Sequence, residues 1–248
     1  MKAEFDSKVA LIIGACGAIG TEVVESLAER GAVVTAVDRD GAKLCDDVER
    51  LQAKGLRVAG RQIDITSSQA VDALVDQIER EFGPIDILVN VAGVLRQGPA
   101  VSLTDEDWAH SFRVNSDGVF HVSRAVASRM VARRGGSIVT VASNSASVPQ
   151  VGLGAYTASR AAAIAYTKCL ALEVARHGVR CNVVAPGQTE APVLRSLSVA
   201  TDVHADSGAN RLVQPTDVAD AVLFLLSDRA DHLTMQDLYL DGGAALGA

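Results

Sequence analysis

Regular alternation of short apolar runs with amphipathic helical patterns predicts an α/β fold: one domain, a doubly wound parallel sheet of about seven strands with helices on both faces. The apolar runs are rich in Val, Ile and Leu with little polar alternation, as expected of strands covered on both sides. Glycine, proline or polar residues stand where the runs stop. Gly14, Asp38, Asp64, Asn90, Ser143 and Pro186 fall at successive strand ends, the edge at which such sheets bind ligands.

Bulk properties narrow the function classes. The chain has 248 residues, of which 48% are hydrophobic and only 4% aromatic, so its core must be aliphatic. A net charge of −7 with no basic run argues against nucleic acid as a partner. No stretch approaches the roughly 20 apolar residues of a membrane span, and the N-terminus shows no signal-peptide pattern. Cys16, Cys45, Cys169 and Cys181 lack metal-ligand spacing and are too few for a disulfide scaffold. The expectation is a cytoplasmic, reduced protein with no metal.

Taken in order, the run 8–13 reads as a first strand, and the turn Gly14-Ala15-Cys16-Gly17-Ala18-Ile19-Gly20 leads into a helix through Arg30. Strand, glycine turn and helix fit a dinucleotide-binding element of the Rossmann type, although such turns also simply join β to α. Around Gly14, Cys16, Gly17, Ala18 and Ile19 the backbone amides can approach a pyrophosphate at the positive helix end. A second strand, 33–37, ends at Asp38, whose carboxylate can accept from adenosine ribose hydroxyls and would repel a 2′-phosphate. NAD is therefore favoured over NADP, although Arg39 next to it can partly offset the repulsion; a turn or helix-cap role is the alternative for Asp38. Helix, strand and helix follow over about 41–54, 57–63 and 67–82. Asp64 and Ile65 can hold the adenine edge, and Asp64 can equally cap the next helix. A fourth strand, 85–89, leads to Asn90, Ala92 and Gly93 as further cofactor-binding candidates. The pattern next predicts one long helix over about 104–132, with Asn115 at an unfavourable interior position where it can bridge a kinked turn and an active-site water. Strand 179–184 ends at Pro186 and Gly187. A region without periodicity, 188–213, reads as a substrate lid. A last helix, about 215–227, and a last strand, 237–240, close the fold.

Chemistry centres on 143–160. Ser143 ends the strand 137–142, and Tyr156 and Arg160 are spaced to project from one face of the following helix. A fixed cation near a phenol favours phenolate. A hydroxyl beside that phenol can hold a substrate oxygen while a proton is exchanged. On their own, Tyr156 and Arg160 would also fit an ordinary amphipathic pair.

Ser143, the pattern Tyr156-x-x-x-basic, Asn115 and Asp241-Gly242-Gly243 together resemble the short-chain dehydrogenase/reductase family, over essentially the whole chain. The resemblance implies that Tyr156 is the general acid/base, that Ser143 orients the substrate oxygen and that Asn115 supports a water relay. It assigns Arg160 to the nicotinamide ribose and Pro186, Gly187 and Thr189 to the nicotinamide end, and it implies a homotetramer built through the helices near 104–132 and 156–177. A narrower resemblance, carried by 88–96, 136–142, 179–184 and 241–248, is to dehydrogenases of cyclic dihydro-hydroxy aromatic acids, of the dihydrodihydroxybenzoate and dihydrohydroxyanthranilate type. That implies NAD-dependent oxidation of a small carboxylate substrate to an aromatic phenol, in secondary metabolite or siderophore biosynthesis. Arg96 and Arg195 are candidates for the substrate carboxylate, each otherwise a solvated loop arginine; Gln150 stands where these enzymes tend to carry arginine. Ile13, Ala18 and Arg160 depart from the family's usual threonine, glycine and lysine. Arginine keeps the charge but cannot release a proton at useful pH. Two alternatives stay open: an oxidoreductase of another secondary alcohol or ketone, such as a 3-oxoacyl or polyketide substrate, and an NAD-binding sensor or scaffold with little activity.

Overall fold

The structure, a computed structural model, describes residues 3–190 and 212–246. A parallel sheet of seven strands runs in the order β3-β2-β1-β4-β5-β6-β7. The strands are β1 (Val9–Ile13), β2 (Val33–Asp38), β3 (Val58–Gln62), β4 (Ile87–Asn90), β5 (Gly136–Val141), β6 (Val179–Pro186) and β7 (Asp237–Leu240). The connecting helices are α1 (Ala18–Glu29), α2 (Gly41–Ala53), α3 (Ser68–Phe82), α4 (Asp105–Phe112), α5 (Gly118–Arg133), α6 (Gly154–Val174) and α7 (Pro215–Leu226). Strand order reverses beside β1, which pairs with β2 on one side and β4 on the other. A crevice opens at that point in such sheets.

All five residues of β1 are buried because neighbouring side chains serve different layers. Ala10 and Ile12 enter the apolar layer with Val23 and Leu27 of α1 and Val218 and Val222 of α7. Val9, Leu11 and Ile13 enter the opposite layer with Val71 and Ile78 of α3 and Val122 and Met130 of α5. Period-2 projection from a strand covered on both faces produces this split. Each Val, Leu or Ile among them contributes about 1.5–3 kcal/mol on burial. None of the described helices is long and apolar enough to cross a membrane.

Two boundaries matter for function. Asp40, Ser67 and Thr104 cap α2, α3 and α4 by accepting from the amides of Lys43, Ala70 and Asp107, whereas α1 starts at Gly17 with no side-chain cap. The single helix expected over 104–132 is interrupted by a π turn at Arg113–Asp117, where the Gly118 amide bonds back to the Arg113 carbonyl. An inserted residue of this kind re-aims the side chains around it. Most of the candidate lid, residues 191–211, lies outside the described residues. Its described ends meet: Glu190 donates to the Val213 carbonyl at 2.8 Å and Val213 to the Gln188 carbonyl at 2.9 Å.

Candidate active site

The carboxyl ends of the first four strands border a cleft of about 480 Å³, lined by Gly14, Gly17, Ala18, Ile19, Asp38, Arg39, Asp64, Ile65, Ala92, Gly93 and Thr189 among others. Gly14 has φ +85°, and a Cβ there would lie 2.5 Å from the Ala92 backbone, so the turn and the β4 end approach closely only because this residue is glycine. The uncapped first turn of α1 leaves amides at Ala18 and Ile19 on the cleft wall. Those donors and the helix dipole suit a phosphate group. Asp38 accepts the Cys16 amide on Oδ2 at 3.0 Å and the Asp40 amide on Oδ1 at 3.1 Å. Each carboxylate oxygen keeps a second acceptor site for a hydroxyl. The Thr66 amide, bonded at 2.9 Å, holds the Asp64 carboxyl below its usual range, with Arg39 and His110 adding to the effect.

A second compartment, of about 230 Å³, holds Ser143, Gln150, Tyr156, Arg160, Pro186 and Gly187, and shares Ile19, Val91, Gly93, Val94 and Thr189 with the first. The two therefore adjoin along a common wall. Ser143 leaves β5 in an extended conformation and its hydroxyl accepts the Ser145 amide at 3.2 Å. Next to it, Asn144 donates to Asp241 of the Asp-Gly-Gly turn at 3.3 Å.

Arg160 is only 6% exposed. Its Nη1 donates to the carbonyls of Ala92 at 3.2 Å and Val141 at 3.3 Å, and its guanidinium carbon lies 5.5 Å from the Tyr156 ring centroid. Among the described residues its buried Nε has no partner and no carboxylate pairs with this cation. A Cβ at Gly93 would collide with Nη2, so Gly93 makes room for the guanidinium.

Asn115 is fully buried on the π turn. Its Oδ1 accepts the Val94 amide at 2.8 Å, and its Nδ2 donates to the Val94 carbonyl and to Ser159 Oγ, each at 2.9 Å. Both amide protons are thus spent on protein, so the side chain acts as a brace between the β4 end and α6 and has no donor left for a water.

Other expected residues sit outside the cleft lining. Asn90 points its amide at Ser123 (3.0 Å) and Thr140 (3.4 Å), inside the layer between sheet and α5. Cys16 contributes a backbone amide, while burial, reinforced by Asp38, pushes its thiol up to about 12. Arg96 pairs with Asp107 at 3.6 Å and lines neither compartment. Arg195 lies outside the described residues. Sequence reasoning missed Thr66, His110, Arg113 and Val114 on the first wall and Asn144 and Leu153 on the second. The π turn that re-aims Arg113 has no sequence signature beyond the ill-placed Asn115.

An oxidoreductase site on a dinucleotide-binding sheet defines the class, and the chain belongs to the short-chain dehydrogenase/reductase family. The family described as enoyl-(acyl carrier protein) reductase matches residues 14–245. Among curated relatives, the 2,3-dihydro-2,3-dihydroxybenzoate dehydrogenase of Bacillus subtilis is 48% identical over 98% of this chain and 97% of its own. The 3-oxoacyl-(acyl-carrier-protein) reductase FabG of Escherichia coli is 37% identical over 96% of this chain and 98% of its own. A solved short-chain type dehydrogenase/reductase from Mycobacterium ulcerans superposes with a TM-score of 0.93 at 29% identity, covering 98% of this chain and 91% of that one.

Proposed function

We propose that the protein oxidises a cyclic dihydro-hydroxy aromatic acid, of the 2,3-dihydro-2,3-dihydroxybenzoate or 2,3-dihydro-3-hydroxyanthranilate type, to the aromatic phenol with NAD. The observation that carries this reading is that the two compartments adjoin: Asp38 and the open end of α1 line one, Ser143 and Tyr156 the other. The 48% identity to a dehydrogenase of this kind supports the substrate class.

NAD fits the residues present. The α1 amides would hold its pyrophosphate, Asp38 its adenosine ribose, and Pro186, Gly187 and Thr189 its nicotinamide end. When bound, it supplies the hydride acceptor for the carbinol carbon. Ser143 holds the substrate oxygen by its hydroxyl, and Tyr156 takes the hydroxyl proton as the C–H bond breaks. Arg160 keeps a positive charge beside the phenol ring and fixes the loops that carry Gly93 and Ser143. The ring ketone so formed tautomerises to a phenol, and aromaticity drives the reaction forward. Of the described wall residues, Gln150 can donate to the substrate carboxylate; Arg195 remains a candidate for the same group. A phenolic acid product suits secondary metabolite or siderophore biosynthesis.

The test is spectrophotometric. NADH formation should appear with dihydro-hydroxybenzoates or dihydro-hydroxyanthranilates and be much slower with NADP. Reduction of a 3-oxoacyl thioester with no activity on the ring acids would move the assignment to the chemistry named for the Escherichia coli relative. A homotetramer through α4, α5 and α6 is part of the proposal, supported by exposed Trp108, Phe120 and Leu172 on those helices. Light scattering on the purified protein checks it, and a monomer at micromolar concentration would remove it.

A further inference from the structure

The strand ends account for only part of the dinucleotide cleft. His110 on α4, and Arg113 and Val114 on the π turn, line the same compartment as Ile63, Asp64 and Ile65. The π turn is held firmly. Asn115 is bonded to Val94 and Ser159, and Ser116 Oγ donates to the Ser159 carbonyl at 2.8 Å. With Asn115 and Ser116 fixed against α6, the turn delivers Arg113 and Val114 to the cleft. Among the described residues the Arg113 guanidinium has no hydrogen bond or ion pair, and it is exposed.

The surroundings of Arg113 define what it can bind. Ile63, Ile65 and Val114 make an apolar slot, and the carboxylate of Asp64 and the guanidinium of Arg39 stand at the same lining. An apolar slot edged by a planar cation suits a flat heteroaromatic ring: the guanidinium covers the π face, and a carboxylate can accept from an exocyclic amine. We propose that Arg113 covers the adenine ring of the bound dinucleotide, so that the π turn braces the catalytic helix through Asn115 and completes the adenosine site through Arg113.

This inference rests on the dinucleotide reading above, and the experiment separates the two. Binding of ADP-ribose and of NADH is measured by calorimetry on the full-length wild type and on Arg113→Ala and Arg113→Lys, with thermal melts to confirm folding. Arg113→Ala should weaken both ligands by about 5- to 20-fold, to the same extent. Reduced nicotinamide mononucleotide, which lacks the adenosine half, should be affected by neither variant. Arg113→Lys should lose nearly as much as alanine, because an ammonium lacks the planar face. ADP-ribose binding unchanged in Arg113→Ala overturns the assignment. Full recovery in Arg113→Lys also overturns it, since charge alone would then suffice and a phosphate would be the partner. Failure of the wild type to bind ADP-ribose overturns the dinucleotide reading, and this assignment with it.

Discussion

Arg113 in the wider compartment and Arg160 in the narrower one are held in opposite ways. Arg160 is buried, tied by Nη1 to the ends of β4 and β5, and paired with no described carboxylate. Arg113 is exposed and, among the described residues, unbonded on the wall of the wider compartment. Taking a guanidinium out of water costs several kcal/mol unless its donors are satisfied. Main-chain carbonyls satisfy part of Arg160 and fix its position, but they do not cancel its charge as a carboxylate would. An uncancelled charge therefore stands 5.5 Å from the Tyr156 ring centroid. An exposed guanidinium carries no such cost and is free to close on a ligand. One cation is fixed in place by main-chain carbonyls, and the other stands open to whatever enters the cleft.

The sharpest test of the buried half is Tyr156→Phe. Removing the hydroxyl should lower kcat by about 10²- to 10⁴-fold, while NADH affinity, read by its fluorescence, moves by less than about threefold. Near-normal turnover would take the acid/base role from Tyr156. Gly93→Ala comes next, because the new methyl group would displace the Arg160 guanidinium and crowd Asn115 Oδ1. Shifts on the order of 1 Å at a reacting centre cost about 100-fold in rate, and a variant with unaltered kcat would show that the bracket at 92–93 is dispensable.

On the open half, Asp38→Asn should weaken NAD by about tenfold, through loss of charged hydrogen bonds, and raise the relative use of NADP. An unchanged ratio of kcat/KM for the two cofactors would place ribose discrimination elsewhere. Arg160→Lys keeps the charge and a donor for one carbonyl. Turnover should remain within about tenfold of wild type, and Tm should fall by about 2–4 °C for each kcal/mol of lost bracing. A collapse in rate at unchanged Tm would mean that the reaction requires the guanidinium shape itself. The smallest expected effect concerns Cys16. Its thiol, raised chiefly by burial to about 12, is protonated at neutral pH, so its alkylation rate should still be climbing beyond about 8.5, where ordinary thiols level off. Mass spectrometry of labelled peptides reads this directly, and a plateau at the ordinary value would contradict it.

Strand positions were legible because a sheet covered on both faces writes itself as apolar runs with abrupt polar ends. Asp38, Ser143 and Pro186 could be placed at the correct edge without coordinates. Side-chain direction was less legible. Asn90 stands at a strand end like Asp38, yet its amide turns into the layer beneath, toward Ser123 and Thr140, because consecutive strand residues face opposite sides and sequence alone does not fix which side holds the ligand. Arg96 looked free until the acidic first turn of α4 placed Asp107 beside it. The π turn was visible only as an asparagine in a poor helical position, and the wall it builds from Arg113 and Val114 depends on three-dimensional register that no local pattern encodes.

The bond from Asn144 to Asp241 carries a last consequence. It spans 97 positions and joins the residue after Ser143 to the turn that follows the final strand. During synthesis, a nascent chain emerging through β6 would already carry Ser143 and Tyr156, yet would lack the latch that steadies the serine's neighbour. Catalytic competence should therefore wait for docking of β7, as the covering of β1 waits for α7.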